Sequence, residues 1–141
     1  MASWFRRKKK ELPEHLATGV WGERQAEAYL KGLGFRILGR RIRVGQKDEL
    51  DLLARDGNCL VFIEVKTRRD ESFGRAASAV DRDKRYRMSR AAVRYLKKLR
   101  RKPDFIRFDV VEVLGRRDAG VEDIRHIPNA FPLDSQFKLP W

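Results

Sequence analysis

Cysteine is almost absent from this chain. Cys59 stands alone, which excludes an internal disulfide and any zinc site built on several cysteines. It reads as a small apolar residue near a turn. Histidine is nearly as scarce: His15 and His126 are far apart, lack ligand-like spacing, and read as structural or exposed. No stretch is apolar enough for a signal peptide or a membrane span. The basic opening Arg6 to Lys10 runs straight into Glu11, Pro13, Glu14 and His15. A cytoplasmic protein is the expectation. There is no internal repeat and no Gly-rich phosphate loop with a Walker lysine. Acids are outnumbered, 20 against 33 Lys and Arg, leaving a net charge of +13. A surplus of that size points to a polyanion, nucleic acid before an anionic membrane. Without an amphipathic membrane helix, the lipid reading is the weakest.

What remains suits a domain of ordinary size: 141 residues, 42% of them hydrophobic, enough to build a core. Residues 1–16 read as a basic arm, either touching phosphates through Arg6 to Lys10 or serving as a solubilising tail. A helix is expected from about Thr18 as its N-cap. Trp21, Ala26, Ala28, Tyr29, Leu30 and Leu33 are its apolar positions, and Gly32 and Gly34 mark its end. Phe35 to Val44 reads as a strand and Gly45-Gln46-Lys47 as a turn. Thr67 to Ala79 is a mostly polar connection, long enough for a mobile loop beside a site. Val80 to Leu99 reads as a second helix, with Met88, Ala91, Ala92, Tyr95, Leu96 and Leu99 as its core stripe. Eleven basic residues between Arg82 and Lys102 face a single acid, Asp83. That is either a solvated face or a phosphate-binding one, and the one-sidedness favours phosphate. Phe105 to Leu114 is expected as a buried strand, Val121 to Ile127 as a short edge strand, and Pro128 to Trp141 as an irregular tail. The order predicts an α/β domain over residues 17–131, with a mixed central sheet and a tail at 132–141.

The informative pair is Glu49-Leu50-Asp51-Leu52-Leu53-Ala54 and Cys59-Leu60-Val61-Phe62-Ile63-Glu64-Val65-Lys66, joined through Asp56-Gly57. Asp-Gly between apolar β-rich runs signals a hairpin. With Asp56 and Gly57 as the turn, 53 faces 60, 51 faces 62 and 49 faces 64. Glu49, Asp51, Glu64 and Lys66 then share one face. Like charges facing each other across a sheet are destabilising. Carboxylates at the end of a buried strand need a partner, and a hard divalent cation is the natural one. Lys66 would lie beside it. It could polarise an attacking water or steady a phosphate, or simply pair with Glu64 or Asp51; the spacing is compatible with both. Glu23, in the first turns of its helix, reads from its position alone as a partner of the positive helix end.

Asp51 followed by Glu64-Val65-Lys66 resembles the signature of the PD-(D/E)xK nuclease superfamily, and the element order resembles its restriction-endonuclease-like αβββαβ core. A closer resemblance is to the bacterial YraN-like proteins, which themselves resemble archaeal Holliday-junction resolvases. It is carried by Gly22-Glu23, Ala26, Tyr29-Leu30, Gly34-Phe35, Glu49 to Leu52, Val61 to Arg68, Phe73-Gly74, Lys84, Ala91-Ala92, Arg107 to Val111 and Asn129-Ala130-Phe131. The resemblance implies a Mg²⁺- or Mn²⁺-dependent endonuclease acting on DNA rather than RNA, on branched substrates, as a homodimer. Asp51 and Glu64 would be metal-binding carboxylates, Lys66 the catalytic lysine, and Glu23 the helix-borne acid completing the site. Lys84, Arg85, Arg87 and Arg68 would contact nucleic acid. Glu49 could be a ligand, an outer-shell group or structural. The chain departs from the pattern in having Asp48 where glycine is expected before Glu49, and Arg40-Arg41-Ile42-Arg43 without the expected asparagine. The alternative is a nucleic-acid-binding module of the same fold without cleavage.

Overall fold

Pro13 starts the first helix. Its fixed φ suits the entry to a helix, and α1 runs Glu14–Gly32, a turn earlier than expected, with Thr18 inside it rather than at its cap. Glu14 sits in the first turn, where the positive helix end favours an acid. The helix ends where the sequence says it should. Gly34 takes φ +93°, Phe35 N–H donates to Leu30 O at 3.0 Å and Gly34 N–H to Lys31 O at 3.0 Å, the paired bonds of a Schellman motif. The computed structural model describes residues 11–69 and 80–141. The basic run Arg6 to Lys10 and most of the expected loop, including Phe73-Gly74, lie outside the described residues.

Five strands follow: β1 Arg36–Val44, β2 Asp48–Asp56, β3 Cys59–Arg68, β4 Phe105–Arg116 and β5 Gly120–Phe131, with α2 at Arg82–Lys97 between β3 and β4. Their order in the sheet is β1-β2-β3-β4-β5. All neighbours are antiparallel except β3 and β4, which the α2 crossover makes parallel. The result is an α/β fold, a mixed five-stranded sheet flanked by two helices, consistent with a restriction-endonuclease-like core. Asp81 caps α2, its side chain accepting from Lys84 N–H at 2.8 Å.

Two apolar layers sit on opposite faces of the sheet. Under α2 lie Leu53, Leu60, Phe62, Phe108 and Val110 with Met88, Ala91, Ala92 and Leu96. Under α1 lie Leu52, Ala54, Val61, Ile63, Val65, Val111 and Val113 with Ala26 and Leu30. β3 is buried on both faces, as its uninterrupted apolar run implies.

Several expectations need correction. The hairpin turn is Gly57-Asn58, with Asp56 opposite Cys59 and Leu53 opposite Phe62. Positive φ falls on Gly57 (+59°) but not on Asn58, which suits a turn with glycine at its first corner. The register therefore differs by two residues from the expected one, and a slip of two preserves which side chains share a face. Ala28 and Leu33 of α1 face outward, while Gly22 and Glu27 are buried. Thr67 and Arg68 belong to β3 rather than to a loop. β5 is no short strand. It continues through Pro128 to Phe131 by placing Asn129 at φ +51°, and Phe131 stacks on Phe108 with centroids 4.9 Å apart.

A buried polar cluster ties β4 to β5. Asp109 is fully buried and accepts from Arg107 Nε at 2.8 Å, from Asn129 N–H at 2.9 Å, and lies 2.8 Å from His126 Nε2. Arg107 also reaches Asp56 at 2.9 Å. The two histidines were both read as structural or exposed; His126 is structural, and the cluster explains how.

Candidate active site

One end of β3 collects charge from four elements. Main-chain pairing between β2 and β3 ends at Leu52 and Ile63. Beyond it, the Asp51 carboxylate takes over, accepting from Val65 N–H at 2.9 Å. The side chain stands in for a ladder acceptor and is thereby fixed beside Glu64, the next residue along β3.

Glu64 is buried. One of its oxygens lies 3.4 Å from Lys66 Nζ and 3.2 Å from Lys84 Nζ. Lys84 comes from the first turn of α2, whose position over β2 is secured by Asp48. This buried carboxylate takes two bonds from Arg90, both 2.8 Å. A bidentate arginine pair is among the stronger contacts available to a carboxylate. The departure at Asp48 thus gives β2 a clamp on α2. The clamp holds Asp48's carboxyl below the usual carboxylate range, chiefly through the hydrogen bonds from Arg90.

Glu23 arrives from α1. Gly22 makes this possible: a Cβ there would stand 1.8 Å from Thr67 Oγ1, so only glycine lets α1 pack this closely on β3. Glu23 accepts from Arg41 Nε at 2.7 Å. Glu49 is exposed at the rim of a cleft of about 270 Å³, lined by Lys47, Asp48, Glu49, Asp51, Lys84, Arg87 and Met88.

The electrostatics are unbalanced at one carboxyl. Asp51 is pushed up to about 8, first by burial, then by the negative charge of Glu64, with hydrogen bonding to Glu64 and the charge of Glu23 adding to it; the Val65 N–H pulls the other way. Burial and the neighbouring charge both work against ionising Asp51. Hard oxygen donors in this state suit a hard divalent cation, which would replace the proton. Among the described residues, no three His, Cys, Asp or Glu side chains stand as a ready metal-holding set. Asp51 and Glu64 are the two acids whose carboxyls meet, so water and phosphate oxygens would have to complete a hard cation's coordination there.

The expected nucleic-acid contacts have different placements. Lys84 is in the site. Arg87 lines the cleft and pairs with Asp83 at 3.1 Å. Arg85 donates to Val80 O at 3.0 Å and lies over the Phe131 ring, turned from the cleft. Arg68 is largely buried, its Nε 3.9 Å from Glu112. Glu112 itself is wholly buried opposite Lys66 in the β3–β4 register. Sequence reasoning missed Arg41 and Asp48. The only signal for either was its departure from the resembled pattern.

The comparisons with known proteins agree on one family. The model of uncharacterised protein family UPF0102 matches residues 22–113, a stretch containing Glu23, Asp51, Glu64, Lys66 and Lys84. A UPF0102 protein of Geotalea daltonii is 43% identical over 115 residues, 82% of this chain and 89% of the relative. One from Symbiobacterium thermophilum is 43% identical over 113 residues, 80% and 94% of the two chains. One from Geotalea uraniireducens is 40% identical over 124 residues, 88% and 96%. The chain belongs to the UPF0102 family, the YraN-like proteins whose motifs it shares.

Proposed function

We propose that this domain is a metal-dependent endonuclease of the PD-(D/E)xK type acting on DNA. The observation that carries the reading is the Asp51–Glu64 pair, two carboxyls held together at the end of a buried strand with Asp51 pushed up to about 8. Like charges so placed cost stability. Asp51 and Glu64 would hold Mg²⁺ or Mn²⁺, with Glu23, whose charge is felt at Asp51, as the helix-borne acid that the resemblance implies. The bound ion would activate water and neutralise the phosphate. Lys66, already on Glu64, is positioned to take up negative charge on the attacked phosphate. Lys84 and Arg87 at the cleft would hold the diester backbone, which fixes position without reading sequence. The net charge of +13 supports a polyanionic substrate. Branched DNA and a homodimer follow from the resolvase likeness; with the expected cytoplasmic location they belong to the same proposal. Among the described residues no helix is long and apolar enough to cross a membrane.

The test is cleavage of linear, flapped and four-way DNA with Mg²⁺ or Mn²⁺ by wild type, Asp51→Asn and Glu64→Gln. Both substitutions preserve shape, and asparagine keeps an acceptor for Val65 N–H. Loss of cleavage with DNA binding retained is expected. Equal cleavage by all three sinks the site assignment.

A second reading has its own observation. Two of the site's acids are already held by bases: Glu23 by Arg41, and Glu64 by Lys66 and Lys84. A nucleic-acid-binding module without cleavage would look like this. It predicts salt-sensitive DNA binding that Mg²⁺ leaves unchanged.

A further inference from the structure

Successive side chains of a regular strand point to opposite faces. Arg40 and Arg41 on β1 break that rule. Arg40 pairs with Glu27 and Arg41 with Glu23, two acids one turn apart on the same side of α1. The break is made by the backbone. Arg41 has φ +43°, a left-handed conformation that arginine seldom adopts and asparagine or glycine adopts readily. A register shift between Ile37 and Gly39 precedes it. The Arg41 guanidinium lies over Gly19 of α1, 3.7 Å from where a Cβ would stand, an ordinary contact distance.

The two clasps differ in what lies behind them. Glu27 faces Arg40 and Lys31 only. Arg41 faces Glu23 first, and the charges of Glu49 and Asp51 also favour its positive form. Its guanidinium is therefore within the field of three acids at the candidate site. Its side chain is 39% exposed, so water reaches it; Arg40 is also exposed, and what separates the two is the acids they face.

We propose that Arg41 is the resident counter-cation of this acidic end, holding Glu23 so that Arg41 and a divalent ion compete for it. The proposal rests on the metal-site reading above. With Arg41 in place, a metal has Asp51 and Glu64; with Arg41 displaced, Glu23 becomes a third ligand. The released guanidinium would lie next to the bound phosphodiester, where a planar, permanently charged fork is well suited to phosphate oxygens. Arg40–Glu27, which involves none of the site's acids, would stay as a contact between β1 and α1.

The experiment is a calorimetric titration of Mn²⁺ into the full-length protein. Its variants are Arg41→Asn, Arg41→Gly, Arg41→Lys, Arg40→Asn, Arg41→Asn with Glu23→Gln, and Asp51→Asn as the reference without a metal site. Arg41→Asn should bind Mn²⁺ about tenfold more tightly than wild type, the scale of removing one unit charge a few ångströms from a divalent ion in a watery site. Arg41→Gly, which also accepts the left-handed backbone, should do the same. Arg41→Lys should stay near wild type because it keeps the charge. Arg40→Asn should lower the melting temperature without changing Mn²⁺ affinity. Adding Glu23→Gln to Arg41→Asn should return affinity to the wild-type level. Unchanged or weaker binding by both Arg41→Asn and Arg41→Gly, with wild type still binding through Asp51, overturns the competition alone. No Asp51-dependent binding by any variant overturns the metal site, and the competition with it.

Discussion

Asp51 should make the metal-free protein less stable as pH rises, and Asp51→Asn should remove that penalty. In the unfolded chain its carboxyl ionises near 3.8, and in the folded protein near 8. Between those values the folded state binds more protons than the unfolded one, so unfolding free energy falls with increasing pH. Below pH 4 both states are protonated and the penalty vanishes; above pH 8 both are ionised and it is constant. At pH 7 about three units separate the solution pH from the unfolded value, which at 1.36 kcal/mol per unit sets a ceiling of about 4 kcal/mol. Water reaching the partly exposed carboxyl would reduce this to about 2 kcal/mol. Asparagine matches the shape, keeps the bond from Val65 N–H, and carries no charge. Urea unfolding in chelator at pH 5, 6, 7 and 8 should show Asp51→Asn more stable than wild type by a margin that grows at each step. Mn²⁺ at a hundred times its Kd should then return about 2.7 kcal/mol to wild type and nothing to the variant. A margin that does not change between pH 5 and 8, or a variant less stable at pH 8, refutes the reasoning.

Gly22→Ala drives a Cβ into Thr67 and should cost about 1–3 kcal/mol in thermal or urea unfolding; Thr67→Ala, by removing Oγ1, should recover part of the loss, and additive effects would count against the contact. Asp109→Ala leaves Arg107 and His126 without their shared acceptor, and a loss of about 3–5 kcal/mol is expected by urea unfolding. A cost below about 1 kcal/mol would show the cluster to be dispensable. Lys84→Ala and Arg87→Ala should each lower the slope of log K for DNA against log salt by about one, measured by fluorescence anisotropy. An unchanged slope would remove both residues from the interface.

The elements were legible because their signals are local. Helix ends were read from Gly32 and Gly34, the core stripe of α2 from Met88 to Leu96 spacing, and the double burial of β3 from its unbroken apolar run. The face shared by Asp51, Glu64 and Lys66 survived an error in register, because parity is insensitive to a slip of two. What could not be read depends on meetings between distant segments. Asp48 gains meaning chiefly from Arg90, forty-two residues away. His126 gains it chiefly from Asp109 on the neighbouring strand. Arg41 needed a backbone angle that no residue pattern announced, since arginine is a poor marker for positive φ. Thr18 misled because a good capping residue is equally at ease inside a helix when proline has already begun it.

An open sheet has two borders, and each is a template on which another chain can lay a strand. Here β1 and β5 are those borders. Along β1, Arg36, Arg40, Arg41 and Arg43 are all exposed, so two copies approaching through this border would bring eight guanidinium groups together. Along β5, Pro128 offers no N–H to a newcomer. The arginines that grip α1 therefore also disfavour edge-to-edge pairing of two copies along β1.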